Sequence, residues 1–184
     1  MALKATVYKA ELQISDLDRH YYATHPLTLA QHPSETDERL MVRLLAFALF
    51  ADERLEFGRG LSTDDEPDLW RKSLTGDIEQ WIELGQPDES RIRKASGRAR
   101  AVVVIGYSGR GFSLWWEKNG AALARCGNLT VLELPAGTAE SLPVFLTRNV
   151  KLSCLIQDGE VQLMGDAGTI GVTPIVRHAP GGAK

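Results

Sequence analysis

Two carboxylates, Asp68 and Glu83, stand on what read as neighbouring strands of one short hairpin. Residues 67–71 have the composition of a short strand and Ser73-Leu74-Thr75-Gly76-Asp77 that of a turn. Over residues 78–84, Ile78, Gln80, Ile82 and Leu84 take one face while Glu79, Trp81 and Glu83 take the other. Carboxylates converging at adjacent strand ends are the donor set of a hard divalent cation, Mg2+ or Mn2+. Such an ion activates water and stabilises a phosphoryl transition state. Glu83 lies inside Trp81-Ile82-Glu83-Leu84, where a carboxylate is costly unless it is coordinated or paired. The alternative to a metal is therefore an ion pair with Arg91 or Lys94. Glu38, three residues before Met41, sits at the edge of a buried helical face and is a candidate third ligand or orienting group. Asp65 and Glu66 precede Pro67 and could replace Asp68 as metal carboxylates, or simply form an acidic surface loop.

The candidate cations lie just beyond. Arg91, Lys94 and Arg98 share one face of the helix that Asp88 is expected to cap, one position from an apolar stripe of Ile92, Ala95 and Ala99. A lysine here could position water or stabilise charge, and the whole face could bind phosphate. The bland alternative is a solvated basic face. Charge is unevenly spread: residues 34–68 hold ten acids against four arginines, and residues 88–100 hold five bases against two acids.

Other motifs fail on spacing. Gly106-Tyr107-Ser108-Gly109-Arg110 is not a nucleophile elbow, because an arginine takes the second glycine position. Gly106, Gly109 and Gly111 are wrongly spaced for a dinucleotide loop. The four histidines show no i,i+4 metal spacing, and Cys126 and Cys154 make neither a disulfide framework nor a zinc site.

Positioning these groups requires a folded domain, and the composition supplies one. The 184 residues are 43% hydrophobic and 24% charged, with a net charge of −3, which excludes a disordered chain and a fibre. No apolar run reaches the length of a membrane helix. The alternating N-terminus does not read as a signal peptide, so a cytoplasmic protein with reduced cysteines and no membrane partner is expected, with a monomer favoured.

The pattern predicts an N-terminal hairpin whose first strand changes phase near Lys9, implying a bulge. A helix follows, capped by Ser34, with Glu35 exposed in its first turn, running to about residue 55. Residues 57–66 read as loop. After the hairpin and basic helix come a buried strand at 101–105, a helix at 112–125 and a strand at 129–134. A short helix at 138–148 precedes a meander turning at Asp158-Gly159. The fold class is α/β: one domain over 1–176 with a mixed sheet flanked by helices, then a flexible tail over 177–184.

Several stretches together resemble the bacterial YaeQ family: Met-Ala-Leu-Lys-Ala-Thr-Val-Tyr-Lys-Ala at the N-terminus, His32-Pro33-Ser34-Glu35-Thr36, Ala51-Asp52-Glu53-Arg54-Leu55, Asp65-Glu66-Pro67 and Trp81-Ile82-Glu83-Leu84-Gly85. The resemblance runs to about Thr173. It implies a compact variant of the PD-(D/E)XK, restriction-endonuclease-like core. Pro67-Asp68 then stands for the PD element and Glu83 for the acidic one. The motif's lysine position holds Gly85, so the resemblance implies a migrated replacement, Lys94, or else Gln86. The activity implied is a Mg2+-dependent phosphodiesterase acting on DNA or RNA. The competing expectation is a non-catalytic module that binds nucleic acid or protein, linked to transcription, and keeps the fold without the chemistry.

Overall fold

The computed structural model describes residues 4–59 and 65–181. Asp64 of the acidic run and the first three residues of the N-terminal stretch lie outside the described residues. The strands are β1 (Thr6–Asp16), β2 (Tyr21–Gln31), β3 (Leu55–Phe57), β4 (Leu69–Lys72), β5 (Ile78–Leu84), β6 (Ala99–Gly106), β7 (Leu129–Glu133), β8 (Asn149–Gln157), β9 (Glu160–Gly165), β10 (Gly168–Val172) and β11 (Ile175–His178). The helices are α1 (Asp37–Leu49), α2 (Glu89–Arg98), α3 (Arg110–Leu123) and α4 (Thr138–Ser141), the last continued by a 3-10 turn, Leu142–Phe145. The chain is α/β and divides into two compact units, Met1–Ala51 with Gly137–Thr173, and Asp52–Ala136 with Pro174–Lys184.

The first unit is built on a five-stranded sheet ordered β10-β9-β8-β1-β2. Ala10, Leu12 and Ile14 of β1, Leu152 and Ile156 of β8 and Leu163 of β9 are buried at alternate positions, as a sheet covered on one face requires. Met41, Leu44, Leu45 and Ala48 of α1 close over Leu12, Leu152 and Leu163. Thr36, not Ser34, caps α1: its Oγ1 accepts the Arg39 N–H at 3.1 Å. That shift turns Glu35 inward. It is buried rather than exposed, and it accepts from Arg43 Nη2 (2.8 Å) and Arg39 Nη1 (2.8 Å).

The second unit carries a six-stranded sheet ordered β11-β7-β6-β5-β4-β3. β5, β6 and β7 are parallel, joined through α2 and α3, and β3, β4 and β11 are antiparallel additions. Trp81, Ile92, Ala95, Val102, Val104, Phe112, Leu123 and Val131 form one core, so α2 and α3 cover the sheet face that presents Trp81.

Four expectations are corrected. The chain makes two mixed sheets, not one. β1 pairs with β2 in unbroken register from Thr6↔Gln31 to Asp16↔Tyr21, with no bulge at Lys9. Ala5 and Val7 mark no second buried face, since both are exposed. Leu55 to Phe57 is an edge strand instead of a helix end and loop. Arg177 and His178 belong to β11, held by pairing with β7 and by the bond of Arg177 Nε to Glu133 (2.5 Å), so the tail cannot begin at 177. Cys126 and Cys154 are free thiols, and burial, helped by the charge of Asp16, pushes Cys154 up to about 12. Among the described residues no helix is long and apolar enough to cross a membrane.

Candidate functional site at the β4–β5–α2 face

Three elements of the second unit set the site. β5 carries Trp81 and Glu83 two residues apart on the face that α2 covers. Asp68 immediately precedes β4, whose Leu69 is opposite Ile82. The Asp68 N–H donates to Ile82 O (3.1 Å), and its Oδ2 accepts the Leu84 N–H (2.8 Å), pinning the carboxylate to β5 on either side of Glu83. A close approach behind it keeps this end tight. Gly58 N–H donates to Asp68 O (2.9 Å), and a Cβ on Gly58 would lie 1.9 Å from Pro67 O.

Glu83 is 5% exposed and Asp68 7%. Glu83 Oε1 accepts from Trp81 Nε1 (2.9 Å) and from Arg91 Nε (2.6 Å). Arg91 also donates through Nη2 to Glu66 O (2.8 Å), so one guanidinium ties α2 to β5 and to the chain entering β4. Burial raises the Glu83 pKa above the ordinary carboxylate value, and the charge of Asp68 raises it further. Arg91 and the Trp81 N–H oppose this without overcoming it. The environment therefore penalises the ionised glutamate even with an arginine beside it.

The structure joins Arg91 to Glu83 and ties Asp68 to the same strand, and the other expected side chains make none of these bonds. Lys94 is exposed and makes no hydrogen bond or ion pair with another described residue. Asp65 is exposed, and Glu66 spends its carboxylate on the Arg59 N–H (2.9 Å). Arg98 is exposed, with its guanidinium 5.3 Å from the Trp81 ring centre. Gln86 donates to Ser108 Oγ (2.7 Å), tying the end of β5 to the loop before α3. Glu38, half-buried in the first turn of α1, belongs to the first unit. Gly85 has φ +92°, a conformation that disfavours any side chain, which gives a physical reason why a lysine does not occupy this position. Sequence reasoning missed Trp70 and Lys72 of β4. Trp70 pairs with Trp81 across the strands, and Lys72 Nζ sits 3.7 Å above the Trp70 ring. The tryptophan directly before two cations in Leu-Trp-Arg-Lys was the available signal.

Among the described residues no three His, Cys, Asp or Glu side chains cluster as a metal cage. Two carboxylates nevertheless suit magnesium, which is commonly held by one or two together with water and substrate phosphates.

The family profile described as YaeQ protein matches residues 1–174. The chain belongs to the YaeQ family. Its relatives include the uncharacterised YaeQ proteins of Salmonella typhi, 47% identical over 163 residues (89% of this chain, 90% of that one), and of Escherichia coli strain K12, 45% identical over 172 residues (94% and 95%). The fold matches two crystal structures of the family. The YaeQ protein from Xanthomonas axonopodis pv. citri has TM-score 0.93 and 63% identity, covering 96% of this chain and 99% of that one. The YaeQ protein from Pseudomonas syringae has TM-score 0.91 and 38% identity, covering 95% and 97%.

Proposed function

We propose that this protein is a divalent-metal-dependent phosphodiesterase acting on nucleic acid, with its centre at Asp68 and Glu83 on a restriction-endonuclease-like core. One observation carries the reading: two buried carboxylates stand at adjacent strands, and burial together with the charge of Asp68 disfavours the ionised Glu83. A cation bound between them relieves that repulsion, so burial that destabilises the free protein favours the loaded one. Asp68 and Glu83 would hold Mg2+ or Mn2+, which when bound supplies an acidified water and charge for the phosphoryl oxygens. Leu84 N–H and Trp81 Nε1 orient the two carboxylates. Arg91, released from Glu83, offers a planar guanidinium to a phosphate, and Lys94 and Arg98 extend the positive face along α2. The protein is taken to be a cytoplasmic monomer. Calorimetry with Mn2+ and Mg2+ tests the site: the wild type should bind one ion and Glu83→Ala none, and cleavage of labelled oligonucleotides should stop in EDTA. No ion binding by the wild type would end the reading.

A second reading has its own support. The Arg91–Glu83 bond at 2.6 Å and the left-handed Gly85 favour a non-catalytic nucleic-acid-binding module that keeps the fold. It predicts binding of oligonucleotides without metal and without cleavage.

A further inference from the structure

Beside the acidic pair, the same face carries an aromatic ring and a lysine that the proposed chemistry does not use. Trp70 of β4 is half-buried and meets Trp81 edge-on, with ring centres 6.0 Å apart at 83°. Trp81 is 2% exposed, so of the two rings only Trp70 reaches the surface. Lys72 is exposed and has its Nζ 3.7 Å above the Trp70 ring centre, and Arg98 of α2 stands beyond Trp81. The acids nearby differ in availability. Glu79 is engaged by Arg54 and Arg71, with Nε of Arg71 at 2.8 Å, whereas Glu56 of β3 faces Trp70 from the far side and is exposed.

We infer that Trp70 and Lys72 of β4, with Arg98 of α2, form a stacking subsite for an unpaired base of single-stranded nucleic acid. The inference rests on the proposed nucleic-acid reading and adds to it the strand state of the substrate. The magnitudes favour exchange at the ring. A base stacked on an aromatic side chain outweighs an exposed cation–π contact. A base therefore displaces the Lys72 ammonium from the ring, and the freed lysine, still tethered beside it, pairs with the phosphate of the same strand. Duplex bases are stacked and paired internally and leave no free face for a ring lying in the sheet surface. Glu83 is two residues from Trp81 and bonded to its indole, so a strand stacked here passes next to the acidic pair.

Fluorescence anisotropy in EDTA, with labelled oligothymidylate and oligouridylate of about sixteen nucleotides and a duplex of equal length, tests this on the full chain. The wild type should bind single strands more tightly than the duplex. Trp70→Leu should weaken single-strand binding roughly five- to a hundred-fold. Lys72→Gln, which removes an exposed group outside the core, should lower the slope of log affinity against log salt by about 0.7. Trp70→Leu binding as the wild type does, at an unchanged melting temperature, overturns the subsite while leaving the nucleic-acid reading in place. A wild type that binds no oligonucleotide in EDTA and neither binds nor cleaves any in Mg2+ overturns both, and a preference for duplex overturns the strand state. Should Trp70→Leu melt early, an unchanged salt slope in Lys72→Gln is the overturning result.

Discussion

Glu83 is a single group under two opposing demands. Arg91 and Trp81 hold it as a structural acceptor, while burial and Asp68 resist its charge. The two demands predict opposite signs for one substitution. A carboxylate whose folded pKa is raised stabilises the fold fully only below its unfolded pKa, and that contribution is lost as pH rises through the folded value. Glutamine does not ionise, so Glu83→Gln loses nothing along that path. In EDTA its melting temperature should match the wild type below about pH 4.3. Above the raised pKa it should exceed the wild type, by a margin that grows as pH rises through that value. A lower melting temperature at neutral pH would mean that the ion pair to Arg91 dominates and that the glutamate is structural. Adding Mg2+ should then raise the melting temperature of the wild type and leave Glu83→Gln unmoved, because only a protein that binds the ion gains by mass action.

At the scale of elements, the parts legible in the sequence were those whose pattern is local. Ile78–Leu84 alternates over seven residues and is a strand with those bounds, and Asp158-Gly159 turns the β8–β9 hairpin. What was not legible depended on partners far along the chain. Leu55–Phe57 is too short to show a period and exists because β4 offers it an edge. Glu35 reads as a first-turn acid until Arg43, eight residues on, turns back to it. Likewise Asp68 and Glu83 were readable as a pair, but the choice of Arg91 over Lys94 as the inward cation was not, since both sit near the apolar stripe of α2. Two tests follow. Glu35→Ala strands Arg43, whose side chain is 4% exposed, and should cost about 3–5 kcal/mol in chemical denaturation. Gly58→Ala drives a methyl group into Pro67 O, a backbone atom that cannot rotate away. It should destabilise the fold by about 1–3 kcal/mol and weaken metal binding, because Pro67 leads directly into Asp68.

At the scale of the whole molecule, the order of segments matters more than their lengths. The chain builds half of the first unit, all but one strand of the second, then the rest of the first, and returns at Pro174 to complete the second. β11 is that return. It pairs antiparallel with β7 through Ile175↔Glu133 and Val176↔Leu132, and Arg177 gives the buried Glu133 its cation. Ser113 Oγ of α3 donates to the same carboxylate at 3.0 Å, so Glu133 joins β11, β7 and α3. Removing residues 174–184 would bare the edge of β7 and leave Glu133 buried with one hydroxyl partner in place of a guanidinium. The second unit should suffer while the sheet of the first keeps its strand pairings, all of which lie within residues 6–172. Hydrogen exchange resolved by residue checks this directly. In the truncated chain the amides of β7 and the adjacent β6 should lose protection first, whereas those of β1 and β8 should exchange as in the full chain. Arg177→Ala should reproduce a smaller share of the loss, confined to β7 and the start of α3. Uniform loss of protection across both sheets would instead mean that the two units unfold as one cooperative body.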